Sequence, residues 1–400
     1  MSAADNRTWG RNRYHSTIRV TSSVRFGAIA PARLVYYFYY VRGLMDVGLN
    51  SEQLSLRDAV RDILRTECPP DAARQAITDP ERWRALWKTV VDLGWTELAA
   101  ANTGDYGPME LVVVLEECGA AIAPIPLLCS VGLAAGLLRG SGLDLVLADI
   151  AGGAVATVAV HAEKSRLPGV PMTLRQGRLR GRAVAVPNLA RAELLVTLAR
   201  TDDGGTVAAV ARCGDGVTAL PAAECTDPAQ PLAGVQIDAE PVAVAPVDLE
   251  SALPAPWVAC AADLVGVAGA ALRRSVEHAK TRRQFGKPIG AFQGVKHALA
   301  DNYVSVERAR SLTYAAAARL ADPGTAPGDA WTAAALAKAA AGEAATGCAR
   351  TAVQVHGALG QTWEHDAHLY VRHAWQTAAL LGDSRALYHE VGRRFCGGAA

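Results

Sequence analysis

Hydrophobic residues recur at helical spacing through the first part of the chain. Over residues 51–66 apolar positions three and four apart alternate with Arg and Asp, and Ser51 is suited to an N-cap. The pattern returns over 81–94 and becomes more apolar over 109–123. These spacings predict an N-terminal helical domain over residues 45–150.

The pattern changes near residue 150 and again near residue 250. Between these points, short alternating runs such as ELLVTLAR and TVAAVARC are separated by the turn sequences DDGG and GDG. They predict a middle β domain over 151–250. Long, alanine-rich helical patterns then predict a C-terminal four-helix bundle over 251–398. The predicted fold class is therefore α+β.

Composition and charge limit the classes of binding partner more than they limit the fold class. The net charge is +1 among 40 basic and 39 acidic residues, and no basic run is concentrated enough to predict binding to nucleic acid or to a membrane surface. No uninterrupted apolar run reaches the length of a membrane span. Eight scattered cysteines without a CxxC pair indicate reduced thiols, and we expect a cytoplasmic protein.

Residues 1–44 differ from the rest of the chain. They contain the aromatic run ARLVYYFYYVRGL, whereas Met45 is followed by a well-formed helix opening. We expect this segment to be an extension, disordered or produced by an early start. The alternative is a partner-binding or anchoring arm.

Two glycine-bearing stretches could bind an anionic ligand. In KTRRQFGKPIGAFQGVKHALAD, residues 280–301, the Arg282–Arg283 pair stands beside a Phe-Gly turn. Guanidinium groups bind phosphate oxygens in pairs, and Phe285 offers a stacking surface. In QVHGALGQTWE, Gly357 would let the backbone approach a ligand. The alternative for both stretches is an ordinary helix end followed by a turn.

A histidine-rich stretch, EHDAHLYVRH, follows. His365, His368 and His373 lie close in sequence to Glu364 and Asp366, which makes metal ligation conceivable. A hydrogen-bonded polar network at a subunit contact explains the same residues. We favour the network and predict no metal.

These stretches resemble a known family. RRQFGKPIGAFQGVKHALAD resembles the flavin-binding signature of acyl-CoA dehydrogenases, and QVHGALGQTWEHDAHLYVRHA is similar to the second signature of that family. LGWTELAA and YGPMELVVVLEECGAAIAPIPLL match its first helical domain, so the resemblance covers roughly residues 45–395. It implies an acyl-CoA dehydrogenase-like fold and an FAD-dependent oxidoreductase that introduces an α,β double bond into an acyl-CoA or acyl-carrier thioester.

The resemblance also implies partners. Family members pass electrons to an electron-transfer flavoprotein, and each FAD site draws on two subunits of a dimer or tetramer. The form TWEHDAHLYVRH resembles an actinobacterial-type branch in which many members assemble from two related chains. Two alternatives therefore stay open: a non-catalytic or half-site subunit of a hetero-oligomer, and a family fold redirected to another tailoring reaction.

The resemblance assigns the family's cofactor-binding residues to the matching positions of this sequence. The resemblance implies that Arg282 meets the FAD pyrophosphate and that Ala358 stands where the family usually has a second glycine. The family's Thr-Glu-Pro to Gly-Ser-Asp segment in the middle domain is replaced by TVAVHAE, residues 157–163. The implied cofactor-binding residues are Arg282, Phe285, Phe292, Gln293, Gln354, Gly357 and Ala358.

The general base is missing from both positions that the family uses. The resemblance places one at Leu381 and the other near Pro256, and neither residue can accept a proton. Asp263, in the apolar helical run WVACAADLVGVAGAAL, is the remaining acid in a suitable place, because a lone buried carboxylate is costly unless it is paired or functional. We predict Asp263 as the base. Asp383 is the weaker candidate, and an ion pair in helix packing is the alternative role for Asp263.

Overall fold

The computed structural model describes residues 48–69, 71–100, 106–214, 216–220 and 226–397. The predicted extension over residues 1–44 lies outside these ranges. The part of the chain from residue 48 onward folds into helical, β and helical sections in that order, so the predicted α+β class is confirmed.

The N-terminal section is helical. Its first helix, α1, begins behind Asn50, whose side chain accepts a hydrogen bond from Gln53 N at 2.8 Å while Gln53 Oε1 accepts one from Asn50 N at 3.0 Å. This capping box replaces the Ser51 cap that the sequence predicted. The elements are α1 Ser51–Glu67, α2 Ala72–Thr78, α3 Trp83–Asp92, a 3₁₀ turn Trp95–Ala99, α4 Pro108–Ala121, a π-helix Leu128–Ala135 that continues into α5 Gly136–Leu138, and α6 Asp144–Ala151.

The middle section is one mixed sheet. Its strands are β1 Ala156–Ala159, β2 Met172–Arg175, β3 Arg178–Pro187, β4 Leu194–Arg200, β5 Thr206–Arg212, β6 Val217–Leu220, β7 Leu232–Ala239 and β8 Ala243–Pro246. The strand order is β6-β7-β3-β2-β4-β5-β8, with β1 paired to β4 in parallel. Most other pairs are antiparallel, as the short strands and tight turns indicate.

Strand β4 shows why this sheet is buried on both faces. Val196 and Leu198 pack into the main core with the helices, whereas Leu195 and Ala199 belong to a second core on the opposite face. Alternate residues of a strand point to opposite faces, so a strand that is apolar throughout must be covered twice.

The C-terminal section is a helical bundle built on one long buried helix. Its elements are α7 Leu249–Ala252, α8 Pro254–Thr281, a small hairpin of β9 Arg283–Gln284 and β10 Lys287–Pro288, a 3₁₀ turn Ile289–Ala291, α9 Gln293–Ala321, α10 Pro327–His356, a 3₁₀ turn Gly357–Gln361, α11 Ala367–Ala379 and α12 Ser384–Cys396. The stretch Leu249–Thr281 is long and apolar enough to cross a membrane, but 94% of its apolar window is buried, as in a core helix.

Helices α4 and α8 cross in very close contact. A Cβ at Gly119 would overlap the backbone of Asp263, and a Cβ at Gly266 would overlap the backbone of Glu116. Glycine at both positions lets the two helix backbones touch. The contact fixes Asp263 against α4, where the three sections of the fold meet.

Candidate functional site

A narrow cavity lies where the helical section, the sheet and the bundle meet. Its volume is about 30 Å³, enough for one or two water molecules. Among the described residues that line it, Asp263 is the one acid, and His373 and Gln376 add further polar groups. The other lining residues are Leu115, Cys118, Ala123, Ile125, Leu127, Leu128, Cys129, Leu133, Pro187, Asn188, Gln230, Leu232, Thr377 and Leu380.

Asp263 is one end of a buried Asp–His–Asp triad. Its Oδ2 lies 2.9 Å from His373 Nε2, and His373 Nδ1 lies 2.8 Å from Asp227 Oδ2. All three side chains are buried. Burial by itself lowers the pKa of His373, but the charge of Asp263 and the hydrogen bonds to both carboxylates outweigh it and raise that pKa to about 10. At neutral pH the imidazolium therefore donates to both acids.

The hydrogen bond to His373 holds the predicted base in place. A carboxylate out of water is costly unless a cation or hydrogen bonds compensate it. His373 bonds the Asp263 carboxyl at 2.9 Å, and Asp263 also lines the cavity. The predicted base is therefore held in one orientation next to an enclosed space.

The family position of the base, Leu381, belongs to a tightly anchored loop. Trp257 Nε1 donates to the Leu381 carbonyl at 2.7 Å, and Leu381 N donates to His161 Nε2 at 3.1 Å. The buried Lys338 ammonium donates to the carbonyls of Thr377, Ala378 and Gly382 at 3.0–3.3 Å. Leu381 is only 2% exposed, so it serves as packing at this point.

The weaker base candidate, Asp383, has a structural role. It is the N-cap of α12, where its side chain accepts from Ala386 N at 3.0 Å, and it pairs with Arg166 at 2.6 Å. Both carboxylate oxygens are engaged away from the cavity at Asp263. Pro256, the other family position, packs near Gly136 in the first turn of α8.

The predicted cofactor residues gather at the far end of the bundle. The rings of His278, in the last turn of α8, and His356, at the end of α10, lie 4.2 Å apart and bring the two signature segments together. Phe285 is 90% exposed, and its ring meets Phe292 edge-on at 6.1 Å. Arg282 is exposed at the same helix end. Gln293, Gln354, Gly357 and Ala358 are also exposed.

These residues fit one end of an FAD molecule. An exposed aromatic ring and an exposed guanidinium provide a stacking surface and a phosphate-binding group. A Cβ at Gly357 would meet nothing within 4 Å, so the chain next to it is open to a ligand. The Ala358 side chain is exposed, and its methyl group does not disturb the packing of the protein itself.

The histidine-rich stretch does not form a metal site. His365 lies before α11, where its ring lies 4.4 Å from that of His356 at a tilt of 49°, and His368 stacks on Trp363 at 5.1 Å. His373 is five residues beyond His368, about 140° away around the helix, and enters the buried triad. Within the described residues no group of three or more His, Cys, Asp or Glu is arranged to hold a metal.

The two clusters lie far apart within one chain. Asp263 lies within α8 and Arg282 caps the end of that helix, 19 residues further on, which corresponds to about 28 Å. The structure brings the signature residues together, but it does not bring them to Asp263.

Several residues of the site were missed in the sequence. Asp227 lies between strands with no motif around it, and His161 lies in TVAVHAE, which was noted only for replacing a family segment. His373 was expected in a polar network or a metal group, but its bond to Asp263 was not predicted. Lys338 did carry a signal, since a single lysine within the apolar run AALAKAAAGEAA is costly to bury unless several acceptors surround it.

Comparisons with known proteins identify the family. The acyl-CoA dehydrogenase C-terminal domain matches residues 251–395, and the acyl-CoA dehydrogenase N-terminal domain matches residues 50–143. The chain is 31% identical over 372 residues to acyl-CoA dehydrogenase FadE27 of Mycobacterium tuberculosis, covering 87% of this chain and 98% of that protein. It is 32% identical over 351 residues to acyl-CoA dehydrogenase IpdE2 of Mycolicibacterium smegmatis, covering 84% and 96%.

A solved structure agrees with these relatives. A chain of the ChsE4–ChsE5 complex from Mycobacterium tuberculosis superposes with a TM-score of 0.77 at 28% identity, covering 89% of this chain and 100% of that chain. The family resemblance that the signature sequences carried is thereby confirmed. The chain belongs to the acyl-CoA dehydrogenase family, whose members are FAD-dependent oxidoreductases.

Proposed function

We propose that this chain oxidises an acyl thioester to its α,β-unsaturated product, with Asp263 as the general base. The observation that carries the proposal is the position of Asp263. It is the acid facing the cavity where the three sections meet, while Leu381 and Pro256 occupy the two positions at which the family places its base.

The chemistry requires a group that accepts one proton. Asp263 takes the proton from the carbon next to the thioester carbonyl, and the electrons of that C–H bond form the new carbon–carbon double bond. FAD held by residues such as Arg282 and Phe285 would supply the acceptor for the hydride that leaves the β carbon. His373 positions the Asp263 carboxylate and offsets the cost of its charge.

The cofactor residues support a site shared between chains. Arg282, Phe285 and Gln354 are exposed, and Arg282 lies about 28 Å of helix away from Asp263, so these residues are suited to the FAD of a neighbouring subunit. The neighbour is a second copy or a related chain, and the ChsE4–ChsE5 relative is itself a complex of two named chains. An electron-transfer flavoprotein as acceptor and a reducing, cytoplasmic location complete the proposal.

Anaerobic flavin bleaching tests the base. The FAD-loaded protein is mixed with a panel of acyl-CoA thioesters, and the decay of flavin absorbance is followed for wild type, Asp263→Asn, Asp263→Glu and the exposed control Asp149→Asn. Loss of a general base lowers the rate about 10²- to 10⁴-fold. The control should keep the wild-type rate.

Folding must be separated from catalysis in this experiment. FAD content and melting temperature are measured for each variant, and Asp263→Glu keeps a carboxylate that can still bond His373. If Asp263→Asn retains FAD and bleaches as fast as wild type, Asp263 is not the base.

A second function is favoured by the size of the cavity. About 30 Å³ beside a carboxylate already bonded to His373 leaves no room for an acyl group in this arrangement. A chain that only donates Arg282 and Phe285 to the FAD site of a partner needs no such room. In that case the chain purifies without flavin, acquires FAD with a homologous chain, and Asp263→Asn leaves the rate of the complex unchanged.

A further inference from the structure

A second cavity lies beside the one at Asp263. It has a volume of about 190 Å³ and its walls are mostly apolar. Arg139 and Ser251 are the polar residues among the described residues that line it. The remaining lining residues are Pro108, Leu111, Val112, Gly132, Gly136, Ala255, Val258, Ala259 and Leu320.

Arg139 is incompletely bonded there. Its Nη2 donates to the Leu98 carbonyl at a long 3.4 Å, while its Nε is buried and has no acceptor within the described residues. Within the part of the chain that the structure describes, Arg139 has no carboxylate partner. Ser251 is not the missing partner of Arg139, because its hydroxyl donates to Asp248. A half-buried guanidinium with an orphaned N–H is expensive unless a ligand completes it.

Both cavities lie along the contact between α4, the π-helix and α8. The Asp263 cavity is lined by Leu115 of α4 and by Leu128 of the π-helix, and the second cavity by Gly132 and Ala259. At Gly132 a Cβ would lie 2.9 Å from Ala259 Cβ, 3.1 Å from Leu128 Cδ1 and 3.4 Å from Leu115 Cδ1. One layer of side chains therefore separates the two cavities.

This layer is formed by side-chain ends. Leu115 and Leu128 reach it with their terminal methyl groups, which are the atoms that a change of rotamer displaces. The layer also sits on the π-helix Leu128–Ala135, a conformation that is rare and frequent at functional sites.

We propose that the Arg139 cavity receives the distal end of the substrate's acyl group and that this end carries a carboxylate. The inference rests on the function proposed above and adds the substrate class to it. Along α8, Ala255 is eight residues from Asp263, about 12 Å. The substrate is thus an acyl thioester whose far carboxylate pairs with the Nε edge of Arg139 while its methylene groups contact Leu111, Val112 and Val258.

The test compares ligands that differ only at the far end. A series of ω-carboxyacyl-CoA thioesters and their methyl-terminated counterparts of equal length is titrated by calorimetry into the FAD-loaded protein, and flavin bleaching is recorded in parallel. The variants are Arg139→Gln, Arg139→Lys and the exposed control Arg182→Gln, with the melting temperature measured for each.

We expect wild type to bind the carboxylate-terminated ligand about 10- to 100-fold more tightly, as for a charge-assisted hydrogen bond. The preference should be greatest for chains that span about 12 Å. Arg139→Gln should abolish it, Arg139→Lys should keep part of it because the charge remains without the fork geometry, and Arg182→Gln should leave it unchanged.

The outcomes separate this inference from the proposed function. Equal binding of both ligands by wild type, or an unchanged preference in Arg139→Gln, overturns the Arg139 site, even if both ligands bleach the flavin. A preference that depends on Arg139 without any bleaching keeps the site and removes the proposed reaction. If Arg139→Gln does not fold, the binding of the two kinds of ligand by Arg139→Lys and by wild type still tests the Arg139 site.

Discussion

The buried triad makes a quantitative prediction for His373→Gln. The substitution removes the imidazolium that lies 2.8 Å from Asp227 and 2.9 Å from Asp263, and it leaves two buried carboxylates without their shared cation. A histidine pKa raised from 6.5 to about 10 corresponds to a stabilisation of about 3–5 kcal/mol. Losing one partner of a buried ion pair costs a similar amount.

The direction of the pKa shift of His373 determines whether the free energy of unfolding rises or falls with pH. Because the folded protein holds the proton more tightly than the unfolded chain, the contribution is complete below about pH 6.5 and is lost as the pH rises through about 10. Wild type should therefore lose stability across this range. His373→Gln should start about 3–5 kcal/mol lower at neutral pH, melt about 5 °C earlier, and lack this part of the pH dependence.

Urea denaturation measures the free energy of unfolding. It is followed by tryptophan fluorescence and circular dichroism at several pH values, and coincident midpoints establish that one transition is being compared. His389→Gln, exposed on α12, is the matched control and should change little. Asp263→Asn should destabilise wild type but not His373→Gln, where it removes a charge that has lost its partner.

The reasoning fails if His373→Gln costs less than about 1 kcal/mol. It also fails if the free energies of the variant and of wild type fall in parallel between pH 6.5 and 10. Either result means that the imidazole is neutral in the folded protein.

Two further substitutions probe the parts of the fold that hold the site. Lys338→Met should lower the free energy of unfolding by about 1–3 kcal/mol or more by leaving buried carbonyls without their donor, whereas the exposed Lys296→Met should be neutral in the same urea assay. Gly266→Ala should cost about 1–3 kcal/mol, because α4 and α8 must move apart. Gly347→Ala, a helical glycine whose nearest neighbour is 4.0 Å away, should instead raise the melting temperature slightly; equal effects of the two alanines would contradict the close crossing.

The sequence predicted the sections of the fold because their periodicities differ. Alanine-rich helices and alternating strands are local patterns, and each is visible within a dozen residues. Asp263 could be recognised in the same way, as one acid on an apolar helix. The partners of Asp263 could not be recognised in this way. His373 lies 110 residues after Asp263 and 146 residues after Asp227, so no local pattern connects the three.

Geometry also decided between the alternatives for the histidines. Spacing alone left two explanations open for His365, His368 and His373, a polar network, which we favoured, and a metal group. The start of α11 at Ala367 separates them, because His365 then precedes the helix and His368 and His373 project from different sides. No local pattern marks Arg139 either, since its missing acceptor is a property of the packed structure.

The length of α8 leads to a complementation experiment. If Asp263 and Phe285 of one chain serve different FAD sites, a chain with Asp263→Asn and a chain with Phe285→Ala are each inactive in pure form but can share one complete site. Random mixing of such chains in a symmetric dimer yields about a quarter of the sites intact. Since Phe285 is 90% exposed, Phe285→Ala should lose FAD without losing melting temperature.

The mixed sample should regain bleaching after subunit exchange by mild denaturation and refolding, whereas the separate samples stay inactive. Two copies of Asp263→Asn exchanged with each other serve as the control. If Asp263 and Phe285 of one chain acted on the same FAD, every site in the mixture would be defective and no activity would return. Recovery near a quarter of the wild-type amplitude would show that the 28 Å of helix between the two clusters is the spacing between two sites of one assembly.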